Sequence, residues 1–248
     1  MTTHHDFDDT KPALLSLPIF DTLPYRSASD FFRQFGEVVI EVTDKQGDFV
    51  KNTPLSNLAR WWESATEISS EAILNGHVAH WPIHKKCRSA ALQKVIDTVT
   101  EQLIESSPNL GCILDLYDFE QIPRFAWAII GPGTMSVKAH QDMFGTASWN
   151  LLFSGKKEWL FWEPDVPAAE RAMPSFQFEQ NPGEMVWIPE NWWHSVTYKD
   201  SSICFSKNLV LRRSVDSILA SMNIKAPKYS HVLQAILLTE QKRKTHAK

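Results

Sequence analysis

The chain is poor in cysteine, carries no long apolar run and has no excess of positive charge. Cys87, Cys112 and Cys204 are odd in number, far apart and in no C-x-x-C pair, which argues against both a disulfide framework and a zinc knuckle. No apolar stretch approaches the roughly 18 residues needed to span a bilayer, so no membrane association is expected. The first nine residues lack the basic-then-apolar layout of a secretory signal, and the cytosol is the expected compartment. Lysine and arginine number 25 against 29 aspartate and glutamate, a formal charge of −4, which argues against a large nucleic-acid-binding surface. No repeat of fixed period and no Gly/Ser or Pro linker divides the 248 residues. What is abundant is tryptophan, ten in all, a load that suits a packed β core or an aromatic-lined pocket.

Residues 1–12 read as a flexible tail. The next hundred mix signals. Ser29 is expected to cap a helix that ends at Gly36, and 37–42 reads as a strand. Thr53-Pro54 reads as a cap followed by a first helical proline, and 89–104 as an amphipathic helix. From about residue 111 short β-type runs take over, at 112–116, 125–130, 147–153, 158–162, 185–188 and 203–209, separated by Gly- and Pro-containing turns. Many short strands with frequent turns predict a jelly-roll barrel. Val215, Ile218, Leu219 and Met222, then Tyr229, Val232, Leu233, Ile236 and Leu237, restore helical spacing. The expected organisation is a tail over 1–12, a single domain over 13–211 with its β core at about 111–211, and C-terminal helices over 212–248.

The chemistry-bearing pattern is H-x-D at His140 and Asp142. In extended chain both side chains fall on one side. His194, 52 residues beyond Asp142, can return on a neighbouring strand. Two imidazoles and one carboxylate form the facial triad that holds Fe(II) and leaves adjacent positions open. H-x-D alone is common. By residue type alone His140 reads first as a hydrogen-bonded loop histidine, and His194 as a core histidine beside two tryptophans.

The order of motifs is more specific than any one of them. The runs RFAWAIIGPG (124–133), HQDMFGTASWN (140–150), LLFSGKKEWLFWEP (151–164) and NPGEMVWIPENWWH (181–194) together resemble the Jumonji-C (JmjC) branch of the cupin superfamily, and among its members the small JmjC hydroxylases. The resemblance covers 110–211 well and the first hundred residues loosely. It implies a mainly β fold, a double-stranded β-helix core with helical elaborations at both ends, and an Fe(II)- and 2-oxoglutarate-dependent oxygenase that uses O2.

Carried over by residue, the resemblance makes His140, Asp142 and His194 the iron ligands and the catalytic residues. It assigns Lys157 to the distal carboxylate of 2-oxoglutarate, with Lys156 the alternative one position away. Asn150 and Ser206 fall near the same carboxylate, and Asn208 two residues beyond. Cys204, Ser206 and Asn208 share strand parity, so all three can face one interior, although an edge strand with a polar solvent side has the same pattern. His77 takes the place of a family tyrosine; Pro82 interrupts any helix that would align His77, His80 and His84 on a metal.

The implied reaction is hydroxylation of a protein side chain, giving succinate and CO2. N-methyl demethylation, hydroxylation of a tRNA base (with Lys242–Lys244 as a phosphate contact or simply a solvated tail), a non-catalytic cupin-like binding protein and a cupin with another divalent metal are the alternatives. The C-terminal apolar stripes pack on their own barrel or mediate a homodimer.

Overall fold

From residue 126 onward the alternating runs leave each strand one face to bury, and antiparallel pairing of such strands closes a barrel. The computed structural model describes residues 7–16, 27–43, 49–64, 78–82, 90–116, 125–133 and 135–246. In chain order the elements are β1 (Ala13–Ser16), α1 (Ala28–Phe35), β2 (Val39–Thr43), β3 (Phe49–Pro54), α2 (Leu55–Ser64), β4 (Val78–Pro82) and α3 (Ala90–Ser106). There follow β5 (Ala126–Gly131), β6 (Ser136–His140), β7 (Ala147–Ser154), β8 (Lys157–Trp162), β9 (Phe176–Gln180), β10 (Glu184–Ile188), β11 (Trp193–Tyr198) and β12 (Ser202–Leu209). The chain then turns helical in α4 (Val215–Lys225) and α5 (Pro227–His246).

One sheet has the order β1-β10-β7-β12-β5-β4-β2-β3 and the other β6-β11-β8-β9. Between β5 and β12 the chain crosses from sheet to sheet at every step except β8 to β9. That winding is the double-stranded β-helix. β1 prolongs one edge of the larger sheet, and β4, β2 and β3 prolong the other.

β12 shows how the two faces divide. Phe205 points outward and meets Phe31 of α1 and Phe153 of β7, with ring centroids 6.3 and 6.4 Å apart. The same outer core takes in Val95, Ile96, Val99 and Leu103 of α3 and Ile218, Met222, Leu233 and Ile236 of the C-terminal helices. Each such side chain contributes about 1.5–3 kcal/mol on full burial. The inner residues of both C-terminal stripes therefore pack on their own barrel, while Ile224 and Leu238 stay exposed. Inside the barrel lies a second cluster, with Trp159, Phe161, Val186, Ile188, Val196 and Tyr198 at its heart.

Four local features differ from the sequence expectation. Ser27, not Ser29, caps α1: its hydroxyl accepts from the Asp30 amide at 3.1 Å. Thr53 and Pro54 end β3, paired with Ile40 and Val39, and α2 starts one residue later. An edge strand tolerates the proline because one side of it has no ladder to complete. Residues 113–116 form a 3-10 turn, not a strand, with Cys112 bridged only to Leu211. Finally, residues 7–12 of the expected tail are tied to the barrel. Phe7 packs edge-on against Trp187, Trp187 and Trp192 donate their indole N–H groups to the Asp9 and Thr10 carbonyls, and Asp9 pairs with Arg213.

Candidate active site

β6 and β11 pair antiparallel, with Val137 opposite Val196 and His140 opposite His194. One residue lies between the paired positions on β11 and two on β6, so β6 carries a one-residue bulge at 138–139. A regular strand would turn Val137 and His140 to opposite faces; the extra residue lets both face inward. The His140 and His194 rings consequently lie 4.3 Å apart, centroid to centroid.

Asp142 sits just beyond the strand, with extended backbone, before the 3-10 turn Met143–Gly145. Its Oδ2 accepts from the Ser148 hydroxyl at 2.5 Å, which fixes the carboxylate. The turn is held from below. Asn208 donates to the Thr146 hydroxyl at 2.8 Å, and that hydroxyl donates to the Met143 carbonyl at 2.9 Å. From the side, Gln141 donates through Nε2 to the Asn191 carbonyl. Phe144, Gly145 and Asn191 all have left-handed backbone, a concentration of strain that marks functional sites.

Each imidazole places Nδ1 against a carbonyl: His140 on Lys138 at 2.9 Å, His194 on Trp192 at 3.2 Å. A carbonyl only accepts, so Nδ1 carries the hydrogen in both rings and Nε2 is left with its lone pair. Burial pushes the His194 pKa down to about 4, with Asp142 opposing the shift and His140 adding to it. His194 is neutral at pH 7, as a ligand must be. The ligating atoms of His140, Asp142 and His194 lie within 4.8 Å of one another. This N2O donor set fits one octahedral first-row metal ion with a face left open.

Deeper in the barrel, the β7–β8 turn at Gly155 (φ 96°) delivers Lys157 to the interior, where 1% of it is exposed. Its Nζ contacts Cys204 Sγ at 2.8 Å, Asn150 Oδ1 at 3.4 Å and the Tyr198 ring at 4.6 Å. Burial acts to lower its pKa, but Cys204 and Tyr198 act the other way and the balance lies above the ordinary lysine value. Among the described residues no carboxylate pairs with this ammonium, whereas its neighbour Lys156 points out to Glu179. A buried, unpaired cation is costly unless an anion completes it, and the surroundings fit a carboxylate ligand.

Ser206 is placed beside Asn150 in the pairing of β12 with β7, and its hydroxyl donates to the Trp149 carbonyl. Asn208 braces the Asp142 turn and makes no contact with Lys157. His77 lies outside the described residues, as do the side chains of His80 and His84. Three partners escaped the sequence reading: Ser148 under Asp142, Tyr198 over Lys157, and Gln180, which accepts from the Trp159 indole and donates to the Asn150 carbonyl. Strand parity carried the first two signals, since Ser148 shares a face with Asn150, and Tyr198 with His194.

Fold and donor set define a double-stranded β-helix protein with a two-histidine, one-carboxylate metal centre. A family model described as "JmjC domain, hydroxylase" matches residues 161–209. The mouse 2-oxoglutarate and iron-dependent oxygenase JMJD4 is 31% identical over 151 residues, covering 50% of this chain and 34% of that protein. The Arabidopsis thaliana arginine-specific demethylase JMJ22 is 28% identical over 126 residues, covering 39% of this chain and 25% of that protein. The chain thus spans no more than about a third of the length of these relatives. The crystal structure of the Escherichia coli ribosomal oxygenase YcfD aligns with a TM-score of 0.48 at 13% identity, over 88% of this chain and 53% of that one.

Proposed function

We propose that the chain is an Fe(II)- and 2-oxoglutarate-dependent oxygenase that hydroxylates a side chain of a protein substrate, releasing succinate and CO2. The observation that carries this reading is the meeting, in one barrel, of three ligating atoms within 4.8 Å and a buried lysine without a carboxylate partner. The name of the mouse relative points to iron and 2-oxoglutarate, and that of the Arabidopsis relative to arginine demethylation.

His140, Asp142 and His194 hold the metal through Nε2, one carboxylate oxygen and Nε2. Lys157 takes the distal carboxylate of the cosubstrate, with Asn150, Ser206, Cys204 and Tyr198 around it. Trp159 and Phe161, about 6 Å from the His194 ring, with Val186 and Ile188, keep water out. When bound, iron and 2-oxoglutarate supply the chemistry: O2 oxidises the keto acid to succinate and CO2 and leaves one oxygen atom for the substrate C–H bond. The chain's part is orientation and exclusion of solvent. No side chain needs to move a proton during hydrogen abstraction.

The test is anaerobic titration of Fe(II) and 2-oxoglutarate, followed by succinate release under O2. Visible charge-transfer absorbance and succinate are expected from the wild type, with both lost in Asp142→Ala. Lys157→Ala should keep the metal and lose 2-oxoglutarate. Metal binding without any 2-oxoglutarate spectrum in the wild type would overturn the reading in favour of a binding protein. N-methyl demethylation uses the same donor set, and formaldehyde among the products of a methylated peptide would favour it.

A further inference from the structure

The metal centre opens on a cavity of about 510 Å3, and its outer wall is α4. Ser217, Ser221 and Lys225 follow one another at intervals of four, which puts them on one helical face, and all three line the cavity. Ile218 and Met222 point the other way, into the core. The opposite wall is the turn that carries Asp142, with Met143, Asn191 and Trp193. Arg171 lies over the Trp193 ring, its guanidinium carbon 3.5 Å from the centroid.

The charge around this opening is one-sided. Among the described residues Asp142 is the only acidic one lining it, and its carboxylate is taken up by Ser148 and the metal-ligand cluster. Lys225 is the one cation among the described lining residues, and Arg171, outside the lining, adds a second through its stacking on Trp193; neither has an ion pair among the described residues. A cationic target side chain would meet like charge at the entrance and find no free carboxylate, a juxtaposition that costs binding. Small side chains on α4 leave room for an extended backbone; the Ser217 hydroxyl donates to the Ser214 carbonyl and keeps its lone pairs for a backbone N–H.

We infer that the cleft between α4 and the Asp142 turn is a substrate channel for an acidic peptide segment that presents an uncharged side chain to the metal. This rests on the oxygenase reading and names its substrate class, one different from the arginine target in the name of the Arabidopsis relative. Two cations are too few for a phosphate backbone, whose proteins gain affinity from many such contacts, so a peptide is favoured over RNA.

The test uses the full chain loaded with Mn(II) and three fluorescein-labelled probes: a Glu-Ala repeat peptide, a Lys-Ala repeat peptide and oligouridine. The acidic peptide should bind most tightly by anisotropy, and the bound Mn(II) should broaden its NMR signals. Lys225→Glu should weaken it about three- to tenfold, a typical range for reversing a rim charge. Ser221→Trp should weaken it by filling the channel without changing charge. Lys228→Glu, the same charge reversal on an exposed residue outside the cavity lining, should leave it unchanged.

Equal or tighter binding of the basic peptide or of oligouridine overturns the inference. So does acidic binding that neither Lys225→Glu nor Ser221→Trp weakens, or that shows no Mn(II) broadening. Failure of Mn(II) to bind at all, read directly by electron paramagnetic resonance, strikes instead at the oxygenase reading.

Discussion

His140 and His194 face each other across β6 and β11, and β6 has one residue more than its partner between this pair and the Val137–Val196 pair. The bulge converts a parity that would send His140 outward into one that points it at His194. Val137 keeps its place against the inner cluster. Ligand geometry here is a property of backbone register.

Deleting Ala139 should restore a regular ladder in which His140, now two positions from Val137, still lies opposite His194 on the inner face. An unchanged circular dichroism spectrum is expected, with a loss of metal affinity smaller than the about 10–100-fold that removal of an outer support costs. Isothermal titration with Co(II) measures it. A larger loss would show that the bulge itself, and not strand parity, aims the His140 ring.

Lys157 sets function against stability. In the metal-free fold the buried ammonium has Cys204, Asn150 and the Tyr198 ring for partners but no carboxylate, and replacing buried ionic groups by apolar side chains of similar volume is often neutral or stabilising by about 1–4 kcal/mol. Lys157→Met should therefore hold or raise the melting temperature while abolishing 2-oxoglutarate binding to the Mn(II)-loaded protein. A fall in melting temperature would mean that Cys204, Asn150 and Tyr198 satisfy the ammonium unaided.

Much of this arrangement was legible in the residues. Period-two alternation found β5, β7, β8, β10 and β12 within a residue or two, and the ordered motifs singled out His140, Asp142, His194 and Lys157. The bulge was not legible, because Lys138 and Ala139 carry no turn or glycine signal. β11 went unassigned because a tryptophan, a histidine and a serine at its start blur the alternation that Val196 and Tyr198 complete. The apolar run at 112–116 has strand composition, but its neighbours bury it as a 3-10 turn. Asn208 shares parity with Ser206, and parity does not tell depth: it lies at the level of Thr146, away from Lys157.

His194 gives the metal-free protein a pH signature. Its pKa is about 4 in the fold against 6.5 ordinarily. Between these values the unfolded chain binds a proton at this ring that the folded chain does not, so stability rises with pH across that window. Acidification from about pH 6.5 to 4 should cost the wild type on the order of 3 kcal/mol more than it costs His194→Gln, read from urea midpoints at each pH. Parallel curves for the two proteins would show that the ring protonates freely inside the barrel.

Gly145 and Asn191 join the two loops that flank Asp142 and His194. Gly145 has φ 74°, and a Cβ there would lie 2.3 Å from Asn191 Oδ1. Gly145→Ala thus meets both the left-handed penalty of about 1–2 kcal/mol and a collision that pushes the Asn191 loop away. Since Gln141 is bonded to the Asn191 carbonyl, the displacement reaches the residue next to Asp142. Reduced stability and a metal affinity down about tenfold are expected together. Asn191→Gly removes the colliding carboxamide, tolerates the positive φ and keeps the carbonyl that Gln141 needs. In the double variant metal affinity should recover while the backbone part of the stability loss persists, giving a coupling of about 1 kcal/mol or more in the cycle. Additive effects on Co(II) affinity would show that the loops act independently, and that the support of Asp142 comes from Ser148 alone.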